Sequence, residues 1–125
     1  MSRILNVLLL DDNEDVFEAI SFYLEKHGHK VDTFTSPEEA LKSSTMYDIL
    51  ISDFDMPGMN GCEFFKKART TWPNAYRVLI SGYRRMVEVN NSGKDSYHVF
   101  FNKLDDLEST IESILMEHNF FRSAV

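Results

Sequence analysis

Five side chains in this sequence follow directly on short apolar runs, and their types suit one kind of chemistry. Asp11 and Asp12 end the first such run, and Asp53 ends the third. Ser81 and Lys103 follow the fourth and the fifth. If these runs are parallel strands, their carboxyl ends share one edge of a sheet, which is where ligands bind in such folds. The pattern therefore predicts a crevice with three carboxylates, a hydroxyl and an ammonium.

Three carboxylates in one crevice repel one another, and burying them without a partner is unfavourable. A hard divalent cation offsets that repulsion, and Mg²⁺ fits because it keeps several waters and leaves room for a phosphate oxygen. Ser81 and Lys103 would then bind the other phosphoryl oxygens, as phosphoryl transfer requires. A carboxylate can itself be the nucleophile and form an aspartyl phosphate. We expect a magnesium-dependent phosphoryl-transfer site.

The elements that must position these side chains alternate between short apolar runs and stretches with helical periodicity. Strands are predicted at residues 4–10, 31–34, 48–52, 77–80 and 97–101. A helix is predicted after each strand. The fourth helix, between Ser81 and Tyr97, is expected to be short or irregular because Asn90, Asn91 and Gly93 disfavour helix. Five such units predict an α/β fold, a flavodoxin-like (βα)5 three-layer sandwich whose parallel sheet has the order 2-1-3-4-5.

Capping signals mark the ends of the predicted helices. Gly28 is expected to close the first helix. Ser36 and Glu39 form a capping box, in which the Ser36 side chain accepts from the Glu39 amide and the Glu39 carboxylate reaches back to Ser36. Asp105 or Asp106 is expected to cap the last helix.

Composition limits the function further. A length of 125 residues suits a single domain over residues 1–125. The net charge of −7, with scattered basic residues, argues against direct nucleic-acid binding by this domain. No stretch approaches the roughly 18 apolar residues of a membrane helix, and the start of the chain does not resemble a signal peptide. We expect a soluble, cytoplasmic protein without membrane contact, and the lone Cys62 fits a reducing compartment.

The remaining residues of interest receive ordinary interpretations. The four histidines show no metal-ligand spacing and are interpreted as surface or packing residues: His27, His29, His98 and His118. Phe120 and Phe121 are expected to close the last helix against the core, with exposure for a homodimer as the alternative.

Taken in order, the motifs resemble the conserved signature of the response-regulator receiver family. The resemblance spans nearly the whole chain and is carried by Asp11-Asp12, the run DFDMPGMNG at 53–61, LISG at 79–82 and FFNK at 100–103. It implies phosphorylation at Asp53 that switches protein–protein contacts. The phosphoryl donor would be a histidine kinase or a phosphotransfer protein of a two-component or phosphorelay system. The recipient of the signal would be a downstream protein or an output domain outside this chain.

The resemblance also implies a role for each site residue. Asp53 would be the phosphoacceptor and a metal ligand. Asp12 would bind the metal directly and Asp11 through water, and the main-chain carbonyl of Asp55 would complete the protein ligands. Ser81 would be the switch hydroxyl, Lys103 its charged partner and Phe100 the aromatic that changes rotamer with it. Such a domain is not an enzyme with a separate substrate, since it promotes only its own phosphorylation and dephosphorylation.

The sequence departs from the family pattern beside the fifth strand. Lys103 is followed by Leu104 where the family usually has proline, often in a cis bond, so we expect a trans bond or visible strain here. Ser96 and Tyr97 replace a small Gly-Ala pair, and Phe100 has no hydroxyl, although phenylalanine occurs there in the family.

Two other function classes compete with the interpretation as a phosphorylated receiver domain. Asp53 and Asp55 form an Asp-x-Asp motif of the kind found in haloacid-dehalogenase phosphatases, but that family needs the motif after its first strand. The second alternative is an unphosphorylated pseudo-receiver that acts only as an interaction module, because a fold does not fix a function.

Overall fold

Five strands form a single parallel sheet in this computed structural model, which describes residues 3–82, 93–103 and 105–123. The strands are β1 Asn6–Leu10, β2 Lys30–Phe34, β3 Ile49–Asp53, β4 Tyr76–Ser81 and β5 Val99–Asn102. The helices are α1 Glu14–Lys26, α2 Pro37–Leu41, α3 Gly61–Thr71 and α4 Leu107–Ser123. The strand order is β2-β1-β3-β4-β5. This confirms the predicted flavodoxin-like order.

The sheet is covered on both faces, because successive side chains of a strand point to opposite sides. Leu8 and Leu10 of β1 pack with α2 and α3, whereas Val7 and Leu9 pack with α1 and α4. The helices contribute buried side chains to these two clusters, among them Ala40, Phe64, Phe65 and Ala68 on the first face and Ile20, Leu24, Ile111 and Ile114 on the second. The predicted three-layer sandwich is therefore confirmed.

The strands begin and end within two residues of their predicted bounds. β1 starts at Asn6 rather than Ile4, because pairing with β2 begins at Asn6 opposite Lys30, and Ile4 is exposed. β3 continues to Asp53, which lies opposite Ile80 of β4. The phosphoacceptor candidate is thus part of the sheet and not of the loop that follows it.

Two helix ends behave as their sequences indicate. Gly28 follows α1 with φ of 88°, a left-handed conformation that favours glycine. Asp106 precedes α4, and its carboxylate accepts from the Ser109 amide at 3.0 Å while its carbonyl accepts from Thr110. The expected aspartate cap of the last helix is therefore Asp106 rather than Asp105.

The capping box predicted at α2 is wrong in one half. Ser36 Oγ accepts from the Glu39 amide at 3.4 Å, as expected. The carboxylate that meets the Ser36 hydroxyl is that of Glu38, at 3.0 Å, while Glu39 pairs with Lys42. Lys42 lies one turn further along the helix surface, where an opposite charge attracts the Glu39 carboxylate.

The complete capping box lies at α3, where none was predicted. The Asn60 side chain accepts from the Glu63 amide at 2.9 Å, and the Glu63 carboxylate accepts from the Asn60 amide at 3.0 Å. Directly after this cap, Gly61 approaches the end of β3 so closely that an added Cβ would lie 2.5 Å from the Asp53 carbonyl oxygen. The start of α3 therefore packs against the main chain of the candidate phosphoacceptor.

The two C-terminal phenylalanines separate. Phe121 packs against the cluster between the sheet and α4, as expected, whereas Phe120 is 71% exposed. On α4 the turn of about 100° between these two adjacent side chains directs Phe120 away from the core that Phe121 contacts.

Some expectations lie outside the described residues. The predicted fourth helix lies there apart from its last residues, of which Lys94–Ser96 form a 3₁₀ turn. The bond between Lys103 and Leu104 also lies there, because residue 104 is not described. None of the helices that the structure describes combines the length and the apolar character needed to cross a membrane.

The close approach at Gly61 gives a prediction about stability. Gly61→Ala would push a methyl group against the Asp53 main chain, which cannot move without disturbing β3. We expect the free energy of unfolding, measured by urea denaturation, to fall by about 1–3 kcal/mol.

Gly82→Ala is the matched control, since a Cβ at Gly82 has no neighbour within 4 Å among the described residues. Equal stability of the two variants would contradict the steric argument.

Candidate functional site

Three carboxylates meet at the carboxyl edge of the sheet. β1 and β3 are neighbours in the sheet, with Leu10 opposite Ser52, so the next residue of each strand reaches the same edge. One carboxylate oxygen from each of Asp11, Asp12 and Asp53 lies within 4.8 Å of the others. Asp12 is exposed, whereas Asp11 and Asp53 are only 2% and 3% exposed. The crevice therefore combines two buried acids with one that reaches solvent.

Lys103 supplies the positive charge at this edge. Its Nζ lies 3.0 Å from Asp53 Oδ2 and 3.7 Å from Asp11 Oδ2. The backbone amide of Lys103 donates at 3.0 Å to the carbonyl of Ser81, the last residue of β4, and this hydrogen bond holds the lysine in place. One ammonium therefore contacts both buried carboxylates.

Asp11 is oriented by the helix that follows it. Its Oδ1 accepts from the Asn13 amide at 2.9 Å, and the Asn13 side chain in turn caps α1 by accepting from Asp15. Burial raises the pKa of Asp11, and the Asn13 amide and Lys103 only partly oppose this. The sequence analysis missed this positioning role of Asn13, although an asparagine just before a helix is a recognisable cap signal.

Asp53 carries the largest perturbation among the acids of this site. Burial, and then the nearby Asp11 charge, raise the pKa of Asp53 to about 6, although Lys103 acts in the opposite direction. Burial disfavours the charged form of Lys103, but the Asp53 and Asp11 carboxylates outweigh it and raise the lysine pKa. The negative charge of the site therefore exceeds what its one lysine can balance.

Two buried oxygens at this edge lack a hydrogen-bond partner in the described part of the chain. They are Asp53 Oδ1 and Ser81 Oγ. Buried polar groups are normally paired. Two unpaired oxygens next to a buried ion pair therefore indicate a ligand-binding site. Ser81 ends β4, the strand that pairs with β3, so its hydroxyl belongs to the same edge of the sheet.

The two remaining predicted residues lie at the border of this crevice. Asp55 follows β3 by two residues and is half-buried. Phe100 is half-buried on the face covered by α2 and α3, with its ring centre 6.5 Å from that of Tyr97. The structure thus brings Asp11, Asp12, Asp53 and Lys103 into direct proximity, with Ser81 on the neighbouring strand.

Known proteins share both sequence and fold with this chain. A family model described as "Response regulator receiver domain" matches residues 7–114. The chain is 38% identical over 85 residues to the C4-dicarboxylate transport transcriptional regulatory protein DctD of Rhizobium meliloti, covering 66% of this chain and 18% of that protein. It is 34% identical over 98 residues to the response regulator protein FleR of Pseudomonas aeruginosa, covering 74% and 21% respectively.

A solved structure shows the same fold over almost its full length. The chemotaxis response regulator CheY4 of Vibrio cholerae superimposes with a TM-score of 0.80 at 25% identity, covering 93% of this chain and 99% of that one. The chain spans only about a fifth of the two curated regulators, DctD and FleR. Asp53 ends the third strand here, which also disagrees with the haloacid-dehalogenase pattern. The chain belongs to the response regulator receiver domain family.

Proposed function

We propose that this domain accepts a phosphoryl group on Asp53 from a histidine kinase or a phosphotransfer protein in the cytoplasm, and that this modification switches its protein contacts. One observation supports the proposal most strongly. The buried Asp53 carboxylate contacts Lys103 through Oδ2 at 3.0 Å, while its Oδ1 has no partner among the described residues and two further carboxylates lie within 4.8 Å. The switched contacts are made with a downstream protein or with an output domain outside these 125 residues.

The donor atoms around Asp53 fit Mg²⁺. All three converging side chains are carboxylates, and hard cations prefer oxygen ligands. Asp12 and Asp53 would hold the ion directly, Asp11 through water, and the Asp55 carbonyl would complete the protein ligands. The ion, when bound, would neutralise negative charge on the phosphoryl oxygens. It would also offset the burial and the Asp11 repulsion that together raise the Asp53 pKa.

The proposed reaction uses Asp53 as the nucleophile. A carboxylate oxygen forms a bond to the phosphorus of a phosphohistidine, the phosphorus–nitrogen bond breaks, and the imidazole nitrogen keeps the electron pair. Lys103 is positioned to stabilise charge on the transferred group, because it already contacts Asp53. Later attack by water on the phosphorus releases inorganic phosphate and returns the free carboxylate. No separate substrate is turned over.

The unpaired hydroxyl of Ser81 supplies the switch in this proposal. A phosphoryl group adds nearly two negative charges and several acceptor oxygens beside Asp53. Ser81 Oγ, buried and without a partner in the described residues, can donate to one of these oxygens. Phe100, on the neighbouring strand β5 and only half-buried, would change rotamer as the end of β4 adjusts. Phosphorylation at one edge would thereby alter the surface around β5.

Binding of a phosphoryl mimic tests this proposal. Beryllofluoride should bind the wild-type domain only with Mg²⁺, giving a bound ¹⁹F NMR signal, and Asp53→Asn should abolish that signal because it removes the attacking oxygen.

Asp55→Asn is the matched control, since it makes the same chemical change two residues away, where only the main chain is assigned a role. If the wild-type protein gives no bound signal with Mg²⁺, the domain is an unphosphorylated interaction module instead.

The raised pKa of Asp53 predicts how stability depends on pH without divalent cations. Because this pKa rises from 3.8 to about 6 on folding, the folded state binds the proton more tightly than the unfolded chain. The resulting stabilisation is complete below pH about 4 and is lost as the pH rises through about 6. The Asp53→Asn variant has no carboxyl group at this position and so lacks this loss. As the pH rises between these limits, its free energy of unfolding relative to that of the wild type should therefore increase by up to about 3 kcal/mol.

Urea unfolding in a chelator, at several pH values, measures the difference between the two proteins. If the free energies of unfolding of the wild type and of Asp53→Asn differ by a constant amount across this pH range, the assigned burial of the Asp53 charge is contradicted.

A further inference from the structure

Two clefts meet at the edge of the sheet opposite to the Asp53 crevice. The first, of about 730 Å³, lies between the start of β1 and the C-terminal ends of α1 and α4. The second, of about 380 Å³, lies between the start of β3, the end of α3 and the end of α4. Three residues line both clefts: Arg3, His118 and Arg122. Both volumes are in the range of small-molecule sites in proteins, and the shared residues place the two clefts side by side.

Nitrogen donors are concentrated in the first cleft. Its lining includes two arginines, three histidines and an amide, namely Arg3, Arg122, His27, His29, His118 and Asn119. Asp48 is the carboxylate that faces them from the start of β3. The chain as a whole has a net charge of −7, so this edge differs in charge from the rest of the molecule. Such a set of donors suits an oxyanion.

His118 is the imidazole that lines both clefts. The residue is only 5% exposed, and in the part of the chain that the structure describes its ring nitrogens form no hydrogen bond. The Tyr76 ring packs against it edge to face, with a centroid distance of 6.1 Å. The His118 ring nitrogens are not among the fully buried polar atoms that lack a partner in the described residues, so they face the open space of the clefts. Because His118 lines both clefts, an anion bound there could accept a hydrogen bond from its ring.

The two arginines have donors to spare. Arg3 donates through Nη2 to Asp48 Oδ1, and a guanidinium has five N–H donors, so most of them stay available. Arg122 forms no ion pair within the described residues. A basic residue in the last turn of a helix also favours the helix dipole. That explanation accounts for Arg122 alone but not for Arg3 and His118, which line the same two clefts.

The same residues argue against a metal ion. His29 Nδ1 accepts from the Leu5 amide at 3.1 Å, so that nitrogen is already used. Among the described residues, only Asp11, Asp12 and Asp53 bring metal-ligand atoms together. Two guanidinium groups beside the histidines would also repel a cation.

The second cleft adds an apolar wall to this cationic edge. Trp72, Pro73, Met46 and Phe121 line it, and Met46 is among the most exposed apolar residues of the chain. A ligand that bridges the two clefts therefore needs an anionic group and an apolar or aromatic part.

We propose that this edge binds a small phosphate- or phosphonate-type anion with an apolar or aromatic body. The oxyanion is held by Arg3, Arg122 and His118, and the apolar body lies in the second cleft against Phe121. This site does not depend on phosphorylation at Asp53, which lies at the other edge of the sheet.

Phenylphosphonate is the probe that tests this proposal, because its carbon–phosphorus bond prevents phosphoryl transfer to Asp53. A chelator removes divalent cations, which leaves the acidic crevice repulsive to the probe. We expect saturable shifts of the His118 ring signals in a ¹H–¹³C NMR titration of the wild-type protein. Arg122→Gln, at an exposed position, should weaken binding roughly tenfold, the effect of losing one charge-assisted hydrogen bond.

Lys67→Gln is the matched control, because it removes one exposed positive charge from α3 and should leave the affinity almost unchanged. Inorganic phosphate should bind more weakly than phenylphosphonate, and phenol should produce no saturable shift. The proposal is overturned if phenylphosphonate gives no saturable shift at His118, or if both variants weaken binding equally. Equal binding of phosphate and phenylphosphonate would remove the apolar half of the site.

Discussion

Two buried carboxylates lie beside a single ammonium at the carboxyl edge of the sheet, and the functional site depends on this imbalance of charge. Asp11 and Asp53 are almost inaccessible to water, and both contact Lys103 Nζ, at 3.7 and 3.0 Å. Removing charges from water is unfavourable unless they are paired, and here one charge has no counterpart. A fold selected for stability alone would replace one of these acids with a neutral residue. Their retention follows if the excess negative charge binds a cation and Asp53 reacts, since active sites commonly reduce stability in this way.

The rest of the fold fixes the positions of these charges. Adjacent parallel strands bring Asp11 and Asp53 to the carboxyl edge of the sheet. The backbone amide of Lys103 donates a hydrogen bond to the Ser81 carbonyl at the same edge. The start of α1 orients Asp11 through the Asn13 amide, and the start of α3 packs against the Asp53 main chain at Gly61. Asp11, Asp53 and Lys103 are therefore each supported by a neighbouring part of the backbone, which is how a rigid charge arrangement is maintained.

Much of this could be predicted from the sequence, because buried parallel strands appear as short apolar runs and the polar residue after each run marks the sheet edge. What depended on three-dimensional neighbours could not be predicted. The Glu39 carboxylate pairs with Lys42 rather than with Ser36, because the geometry of the side chains on the folded helix decides between these two partners. The cleft around His118 gathers residues from both ends of the chain that share no motif or spacing, so the sequence indicated only a packing histidine.

The central claim, that Asp53 is the phosphoacceptor, can be tested by locating the covalent modification itself. The domain is incubated with Mg²⁺ and a small acyl phosphate, treated with borohydride, which reduces an aspartyl phosphate to homoserine, and digested for mass spectrometry. If Asp53 is the phosphoacceptor, homoserine appears at position 53, only when Mg²⁺ is present, and Asp11, Asp12 and Asp55 stay unmodified. Modification at one of those three residues instead, or no modification with Mg²⁺ present, would contradict this claim.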